Sequence, residues 1–211
     1  MIRLYPSTMP FWVKWFFPKL TYRYPVDKKQ IFITFDDGPE PDVTPWVLDV
    51  LKREQVKATF FCVGNQIEKH PDIFKRIITD GHRIGNHTFR HENGWRTPAE
   101  AYKKSIDHTE KLIAQYTTPS KLFRPPYGRI TPAQVKLLKR AGYKIIMWSV
   151  LTGDFSNNLD TGKALTYLKK HTRPGDIIVF HDSRKAFENL KTILPDYIRY
   201  LKKEFFDFGT I

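Results

Sequence analysis

The sequence has little cysteine, no long apolar segment and no block of like charge, and each absence excludes a class of protein. With one cysteine, Cys62, among 211 residues, the chain has no intrachain disulfide and no multi-thiolate zinc site. The aromatic run at residues 10–18 contains Lys14 and is bounded by prolines, so it is shorter than the roughly 20 apolar residues that span a bilayer. It also lacks the small-residue cleavage site of a secretory signal. The compartment stays open, and we favour a cytoplasmic or peripheral membrane location.

The composition is that of a globular chain with a strong basic excess. Hydrophobic residues make up 41% of it, which excludes a disordered or membrane-embedded protein. Lys and Arg total 35 against 22 Asp and Glu, a formal net charge of +13. This balance favours an anionic partner, such as a nucleic acid, a membrane surface or an acidic envelope polymer, although scattered basic pairs are also typical of solvated helix faces. Because no nucleic-acid-binding motif is recognisable, we expect no nucleic-acid partner.

We divide the chain into an N-terminal aromatic and basic arm, residues 1–27, and a single catalytic domain, residues 28–211. The Trp, Phe and Lys side chains of residues 11–17 suit either the interface of a membrane or packing on the domain. Both interpretations stay open, and peripheral membrane contact is one of them.

Short β-rich runs alternate with amphipathic helical stretches along the domain. The predicted strands are nearly continuous apolar runs, as expected when both faces are covered: residues 31–35, 58–63, 83–86, 121–124, 144–150 and 176–180. Helices are predicted from Thr44, from Pro71, over 98–115, from Pro132, from Asp160 to about His171, and over 186–204. This alternation predicts a parallel α/β sheet or barrel. Polar residues that follow the strands should converge, because the carboxyl ends of parallel strands share one face.

Two adjacent carboxylates, Asp36 and Asp37, end the first apolar strand, just before the turn residues Gly38 and Pro39. Inside a strand they would point to opposite faces and one would enter the core unpaired, whereas the turn lets both reach one cavity. Two close acids raise one pKa unless a cation intervenes. A metal ion on one carboxylate, with the other left as a base, resolves that conflict, although such a turn alone is weak evidence.

Two histidines, His87 and His91, lie four residues apart. On a helical turn this spacing places both imidazoles on one face, where they can bind one metal ion. Two imidazoles with one carboxylate form the ligand set of a catalytic zinc or related ion. We expect one divalent cation, with zinc first and cobalt, nickel or manganese as alternatives.

Three further polar residues follow later strands. Arg124 precedes a stiff pair of prolines, where it suits either the anchoring of a carboxylate or a surface salt bridge. His181 ends a buried apolar run; a lone histidine there is more often structural than functional, but Asp154 could orient it and raise its pKa.

Five ordered stretches resemble the motifs of the polysaccharide deacetylases, the NodB-homology or carbohydrate esterase family 4 domain. They are residues 34–39, 87–91, 124–127, 153–155 and 179–181. Each is short, but all five in this order, between about residues 30 and 205, make a specific match. The resemblance implies a distorted (β/α) barrel, typically with seven parallel strands. It also implies hydrolytic removal of an acetyl group from an N-acetylated amino sugar, in a glycan such as peptidoglycan or chitin.

The resemblance also implies roles for the residues at the matching positions. Asp37, His87 and His91 resemble the metal ligands, and Asp36 resembles the catalytic base. Arg124 matches the residue that holds the carboxylate of the base.

The later motifs imply the rest of the machinery. His181 resembles the general acid, with Asp154 as its partner, and Tyr127 matches the residue whose backbone N–H receives the oxyanion. The expected substrate-binding residues are Pro126, Tyr127, Phe155 and Val179.

Two departures from the family pattern concern the substrate more than the chemistry. In the fourth motif, an acid common in the family is absent and Phe155 replaces a tryptophan, so the aromatic wall is smaller. In the fifth, Val179 replaces the usual leucine, which makes the pocket for the acyl methyl slightly roomier.

Two other functions stay open. A deacylase or deformylase of a lipid-linked sugar, or of another small amide at a membrane, fits the net charge of +13 and the aromatic arm. A catalytically silent glycan-binding or nucleic-acid-binding module is the alternative from another class. The presence of every expected catalytic residue argues against a silent module.

Overall fold

The computed structural model describes residues 7–8 and 18–211. Within these residues there are nine strands: β1 (Ser7–Thr8), β2 (Gln30–Asp36), β3 (Thr59–Cys62), β4 (Arg83–Asn86), β5 (Leu122–Phe123), β6 (Lys144–Ile145), β7 (Val150–Leu151), β8 (Ile177–His181) and β9 (Asp207–Phe208). The helices of the same residues are α1 (Thr44–Arg53), α2 (Gly64–Lys69), α3 (Pro71–Thr79), α4 (Ala99–Ala114), α5 (Pro132–Arg140), α6 (Thr161–His171) and α7 (Phe187–Lys203). Single 3₁₀ turns lie at Gly94–Arg96 and Pro126–Gly128.

Seven strands form a continuous parallel sheet in the order β7-β8-β2-β3-β4-β5-β6. Strand β1 adds to the β7 edge in the antiparallel direction, and β9 pairs with the start of β2. The sheet curls into a half-barrel, so the carboxyl ends of β2, β4, β5 and β8 face one mouth. The parallel, roughly seven-stranded arrangement is the predicted one.

The period-2 alternation of β2 divides its side chains between two cores. Ile33 and Phe35 pack under helices α1, α6 and α7 in the larger cluster, where full burial of a Phe side chain contributes about 2 kcal/mol. Phe32 points the other way, into a smaller cluster inside the half-barrel. Thr34 and Asp36 share its parity and therefore line the interior above it.

The predicted strand at residues 144–150 is wrong as a single element, because β6 and β7 are separated by a break. In the break, the carbonyls of Ile146 and Met147 accept hydrogen bonds from the guanidinium of Arg124, at 3.3 and 2.9 Å. The backbone also changes partners across the break: the N–H of Met147 donates to the carbonyl of Thr21 at 2.7 Å, whereas that of Ser149 donates to the carbonyl of Ile177 at 3.0 Å. Trp148, between these two residues, lies beside the mouth of the half-barrel instead of in a strand.

The described part of the predicted N-terminal arm packs on the domain. Leu20 and Tyr22 are buried, and Arg23 forms an ion pair with Asp176. The aromatic stretch at residues 11–17, for which both membrane contact and packing on the domain are open interpretations, lies outside the described residues. Among the described helices, none has the length and apolar character needed to cross a bilayer.

Candidate active site

The three predicted metal ligands converge at the mouth of the half-barrel. Asp37 follows β2, and His87 and His91 follow β4, and each offers one ligand atom within 4.8 Å of the others. The Nε2 atoms of His91 and His87 lie 3.2 and 3.8 Å from the same oxygen, Oδ1 of Asp37. An ion held at 2.0–2.1 Å in tetrahedral geometry separates its ligand atoms by about 3.4 Å. The three groups therefore fit one divalent cation.

The histidines do not meet on a helical turn, so that part of the prediction is wrong. Thr88 and His91 adopt left-handed backbone conformations, with φ of 67° and 58°, which a helix does not allow. Side chains hold this loop: Asn86 Oδ1 accepts from the N–H of Thr88 at 3.0 Å, and Thr88 Oγ1 accepts from that of Glu92 at 3.1 Å. The loop brings the two imidazole rings to 5.0 Å between centroids.

The protonation of the ligands suits metal binding. Nδ1 of His87 lies 2.8 Å from the carbonyl of Arg124, an acceptor only, so Nδ1 carries the proton and Nε2 is left as the ligand atom. Burial lowers the pKa of His87 to about 4, so this ring is neutral at neutral pH. Burial by itself would raise the pKa of Asp37, but the hydrogen bond from His91 and the nearby imidazoles lower it overall.

Asp36 and Arg124 form a buried ion pair beneath this group. Nη1 of Arg124 lies 2.7 Å from Oδ1 of Asp36 and 2.7 Å from Oγ1 of Thr34, and both side chains of the pair are almost fully buried. The guanidinium lies 4.1 Å from the centroid of the Phe61 ring. Oδ2 of Asp36 has no hydrogen-bond partner among the described residues, and Asp36 lines the mouth. That oxygen is available to a water molecule.

His181 and Asp154 form the second pair. Asp154 is fully buried, and its carboxylate accepts from both the backbone N–H and Nδ1 of His181, each at 2.8 Å. Burial by itself would lower the pKa of His181, but the charge and hydrogen bond of Asp154 raise it to about 9. The ring is therefore protonated at neutral pH. Asp36 and His181 are register partners on the adjacent strands β2 and β8.

Tyr127 completes the predicted set with its backbone. Its φ of 60° is left-handed, and its N–H donates to no acceptor among the described residues. The ring is 60% exposed and meets His91 edge-on at 4.5 Å between centroids. The free N–H beside the cation group is a donor that an oxyanion can use.

Comparison with known proteins decides the family. The family model "Polysaccharide deacetylase" matches residues 23–146. The chain belongs to the polysaccharide deacetylase family. A Bacillus cereus protein named peptidoglycan-N-acetylglucosamine deacetylase is 34% identical over 194 residues, which are 91% of each chain. The predictions of family and hydrolase class are confirmed.

Solved structures agree on the polysaccharide deacetylase fold. The crystal structure of the Bc1960 peptidoglycan N-acetylglucosamine deacetylase matches with a TM-score of 0.88 and 33% identity, over 94% of both chains. A carbohydrate esterase family 4 pseudoenzyme from Bacillus anthracis matches with a TM-score of 0.80 and 26% identity, over 90% of this chain and 66% of that one. The fold prediction is confirmed, but the fold alone does not separate an active deacetylase from a silent one.

The cation group, Asp36, Tyr127 and His181 line a cleft of about 450 Å³, a size typical of ligand pockets. Three predicted substrate-binding residues of this deacetylase line it: Tyr127, Phe155 and Val179. Pro126, the fourth predicted residue, is buried and is not among the lining residues, whereas the preceding Pro125 forms part of the wall.

Trp148 is an aromatic wall residue that the sequence interpretation missed. It lines the cleft and packs so closely on the chain after Pro126 that a Cβ on Gly128 would lie 2.6 Å from the indole. The apolar run around Trp148 predicts a buried strand, so the sequence gives no sign that this side chain reaches the cleft. In this polysaccharide deacetylase, Trp148 adds aromatic surface to the cleft wall, where Phe155 is smaller than the tryptophan of the family pattern.

Asp182 is a second missed residue. It is buried, and its carboxylate accepts from the N–H of Gly38 at 3.0 Å and from Oγ1 of Thr44 at 2.6 Å. Burial, with a contribution from the charge of Asp37, raises the pKa of Asp182 to about 8. Through Gly38, Asp182 fixes the turn that carries Asp37. Its position directly after His181 at a strand end was the available signal.

Proposed function

We propose that this chain is a metal-dependent deacetylase that removes acetyl groups from the N-acetylglucosamine residues of peptidoglycan. The observation that carries the proposal is the meeting of three elements in one cleft: a ligand group for one cation, a buried Asp–Arg pair and a buried Asp–His pair. The named activity of the Bacillus cereus relative, with 91% mutual coverage, supports the choice of substrate.

Asp37, His87 and His91 would hold the cation. When bound there, a divalent ion polarises the acyl carbonyl and lowers the pKa of a bound water molecule. Zinc is the first choice because two imidazoles with one carboxylate suit it, although cobalt, nickel and manganese accept the same set.

Asp36 is the proposed base. Arg124 holds its Oδ1 at 2.7 Å, which leaves Oδ2 facing the cleft to take a proton from the attacking water. Because Arg124 is fully buried and bonded to two backbone carbonyls, the carboxylate is held in one orientation. The N–H of Tyr127 is the proposed donor to the oxyanion, and losing one such donor costs about 3 kcal/mol of transition-state stabilisation.

His181 is the proposed acid. Asp154 accepts from Nδ1, so the opposite nitrogen, Nε2, carries the proton given to the departing amine. With a pKa raised to about 9, the ring enters the reaction protonated at neutral pH.

The role of His181 is tested with His181→Ala on two acyl substrates. An amine is a poor leaving group and needs a proton, so we expect loss of about a hundredfold in kcat on an N-acetyl sugar. An activated aryl acetate, whose leaving group is stable as an anion, should lose far less. Equal losses on the two substrates would contradict the acid role.

The alternative of a silent module has a counterpart in the pseudoenzyme neighbour. Against it, the ligand atoms of this chain already stand at the separations that one ion needs, and both catalytic pairs are formed. A catalytically silent protein would not need a carboxylate oxygen that is left available beside the three metal ligands.

The deciding experiment measures acetate release from N-acetylglucosamine oligomers, peptidoglycan, acetylated xylan and lipid-linked N-acetyl sugars. The purified chain is assayed as isolated, after chelation, and after return of zinc, cobalt, nickel or manganese. We expect release from the first two substrates, its loss on chelation and its recovery with metal. Release only from the lipid-linked sugar would favour the membrane alternative. Release from none of them, with metal bound, would favour the silent module.

A further inference from the structure

An exposed aromatic and cationic ledge stands beside the cleft; we call its residues Trp95, Tyr127 and Arg129 the shelf. Trp95 and Tyr127 are 65% and 60% exposed, two of the three large hydrophobic side chains that stay exposed among the described residues. The guanidinium of Arg129 lies 5.0 Å from the centroid of the Trp95 ring and 5.7 Å from that of Tyr127. Tyr127 and Arg129 also line the cleft.

The shelf is built rigidly. The amide of Gln134, which is buried, donates to the carbonyls of Gly94 and Thr97 at 2.8 and 2.9 Å, and so ties the turn that carries Trp95 to the start of helix α5. The turn also fits closely on the backbone of Arg129, since a Cβ on Gly94 would lie 2.3 Å from the Arg129 carbonyl oxygen. A solvated loop tip without a ligand needs no such anchoring.

The guanidinium of Arg129 is unpaired in the described part of the chain. Within the described residues, no carboxylate lies within 4.0 Å of its guanidinium, and it makes no side-chain hydrogen bond. The two ring contacts orient the cation while leaving its N–H groups available. By contrast, the exposed Arg184 at the end of β8 is paired with both Glu40 and Asp42.

The acidic side chains of the cleft lie deeper than its basic side chains. Its acids, Asp36 and Asp37, lie at the bottom and are engaged with Arg124 and with the histidines. Arg129 and Lys185, which have no ion-pair partner among the residues that the structure describes, lie on loops at the rim, after β5 and β8. A ligand that fills the cleft therefore places its neutral acetamido group at the bottom and meets unpaired positive charge at the rim.

We propose that Arg129 is a specificity-determining residue that binds a carboxylate on the sugar adjacent to the one being deacetylated. The preferred substrate is then an acidic glycan and not a neutral one such as chitin. This inference rests on the proposed function and names the substrate class of the same cleft. In peptidoglycan the neighbour of each N-acetylglucosamine is N-acetylmuramic acid, whose lactyl ether ends in a free carboxylate wherever the stem peptide has been removed.

The test uses two glycans that differ in one group: a peptide-free oligosaccharide of alternating N-acetylglucosamine and N-acetylmuramic acid, and the same oligosaccharide with its lactyl carboxylates amidated. For the wild-type holoenzyme we expect kcat/KM on the acid to exceed that on the amide by about fivefold, the size of an exposed ion pair. Added salt should reduce this preference, because screening weakens exposed charges.

The variant Arg129→Gln should lower kcat/KM on the acidic glycan to about the level of the amidated one. Arg129→Lys, which keeps the charge without the planar fork, should restore part of the preference. Arg140→Gln is the matched control, since it removes the same charge from an exposed position at the far end of α5 and should keep the wild-type ratio.

An acid-to-amide ratio that is unchanged in Arg129→Gln would overturn the inference while leaving the proposed function intact. A wild-type holoenzyme inactive on both glycans would contradict the proposed function. In that case calorimetric binding of the two glycans still tests Arg129, because equal affinities for acid and amide would overturn its role.

Discussion

The site has two halves that are built differently. Asp36 and His181 end neighbouring parallel strands and are register partners, so the sheet itself sets their separation. The cation group depends instead on loops, in which Asp37, Thr88 and His91 all have left-handed backbone conformations. We call these the strand-borne half and the loop-borne half. The proposed proton-transfer residues are therefore placed by the hydrogen-bonded strands of the sheet. The metal ligands depend instead on loop conformations that side-chain hydrogen bonds must hold in place.

The largest effect should follow from breaking the strand-borne half with Arg124→Met. Removing one member of a buried ion pair leaves Asp36 charged and unpaired, which costs about 3–5 kcal/mol of unfolding free energy. Denaturant unfolding measures the loss, and acetate release should fall to background. Arg184→Gln is the control, because the Arg184 side chain is 70% exposed and water can screen its pairs, so its loss should cost less than about 1 kcal/mol. Equal losses in the two variants would contradict the buried character of the first pair.

Separating the two halves is the next test. Asp36→Asn keeps the shape of the side chain but removes the base, so we expect turnover to fall by about a thousandfold while metal content is retained. His87→Ala removes a metal ligand, so we expect this variant to lose the metal. Metal analysis of the folded variants distinguishes them. Full activity of Asp36→Asn would refute the assignment of the base.

The pH dependence of kcat tests the role of His181 in the strand-borne half. The acid must be protonated, so kcat should fall as the pH rises through the pKa of His181, which Asp154 raises to about 9. Asp154→Asn removes the charge that raises it, and the alkaline limb should move to lower pH. The limb of kcat against pH is measured at constant metal occupancy. An unmoved limb would mean that another group titrates.

The smallest effect concerns the loop-borne half. Asp182→Ala leaves the N–H of Gly38 and the hydroxyl of Thr44 without their buried acceptor, at a cost of about 2 kcal/mol in unfolding free energy. Because the freed turn carries Asp37, metal affinity should also weaken, as measured by competition with a chelator. Asp182→Asn, which keeps one acceptor oxygen, should lose less of both. Unchanged metal affinity in Asp182→Ala would show that the turn holds Asp37 without help.

The strand-borne half could be predicted closely from the sequence. The alternation along β2 places Asp36 on the inner face, and Arg124 and His181 each follow an apolar run that ends at the same mouth. The register of β2 against β8 is a tertiary fact, but the parallel arrangement already brings these ends together.

The rest of the site could not be predicted in the same way. The convergence of His87 and His91 was expected from helical spacing, yet it depends on left-handed residues that no hydrophobic period reveals. Trp148 lies in an apolar run, and no local signal marks the break after β6, where the carbonyls of Ile146 and Met147 accept hydrogen bonds from the distant Arg124. Helix α2 (Gly64–Lys69) was missed because Gly64 and Asn65 suggest a turn.

The pairing of Asp36 with His181 on adjacent rungs has a consequence for how such a protein can diverge. The backbone positions of the two residues stay about 4.8 Å apart, the spacing between neighbouring strands, whatever loops surround them. Loops at the rim can therefore be exchanged, lengthened or recoded for a new glycan without retuning the chemical step. The same barrel can serve as a scaffold for engineering glycan specificity, and residues 93–97 and 183–185 are the loop segments to randomise first.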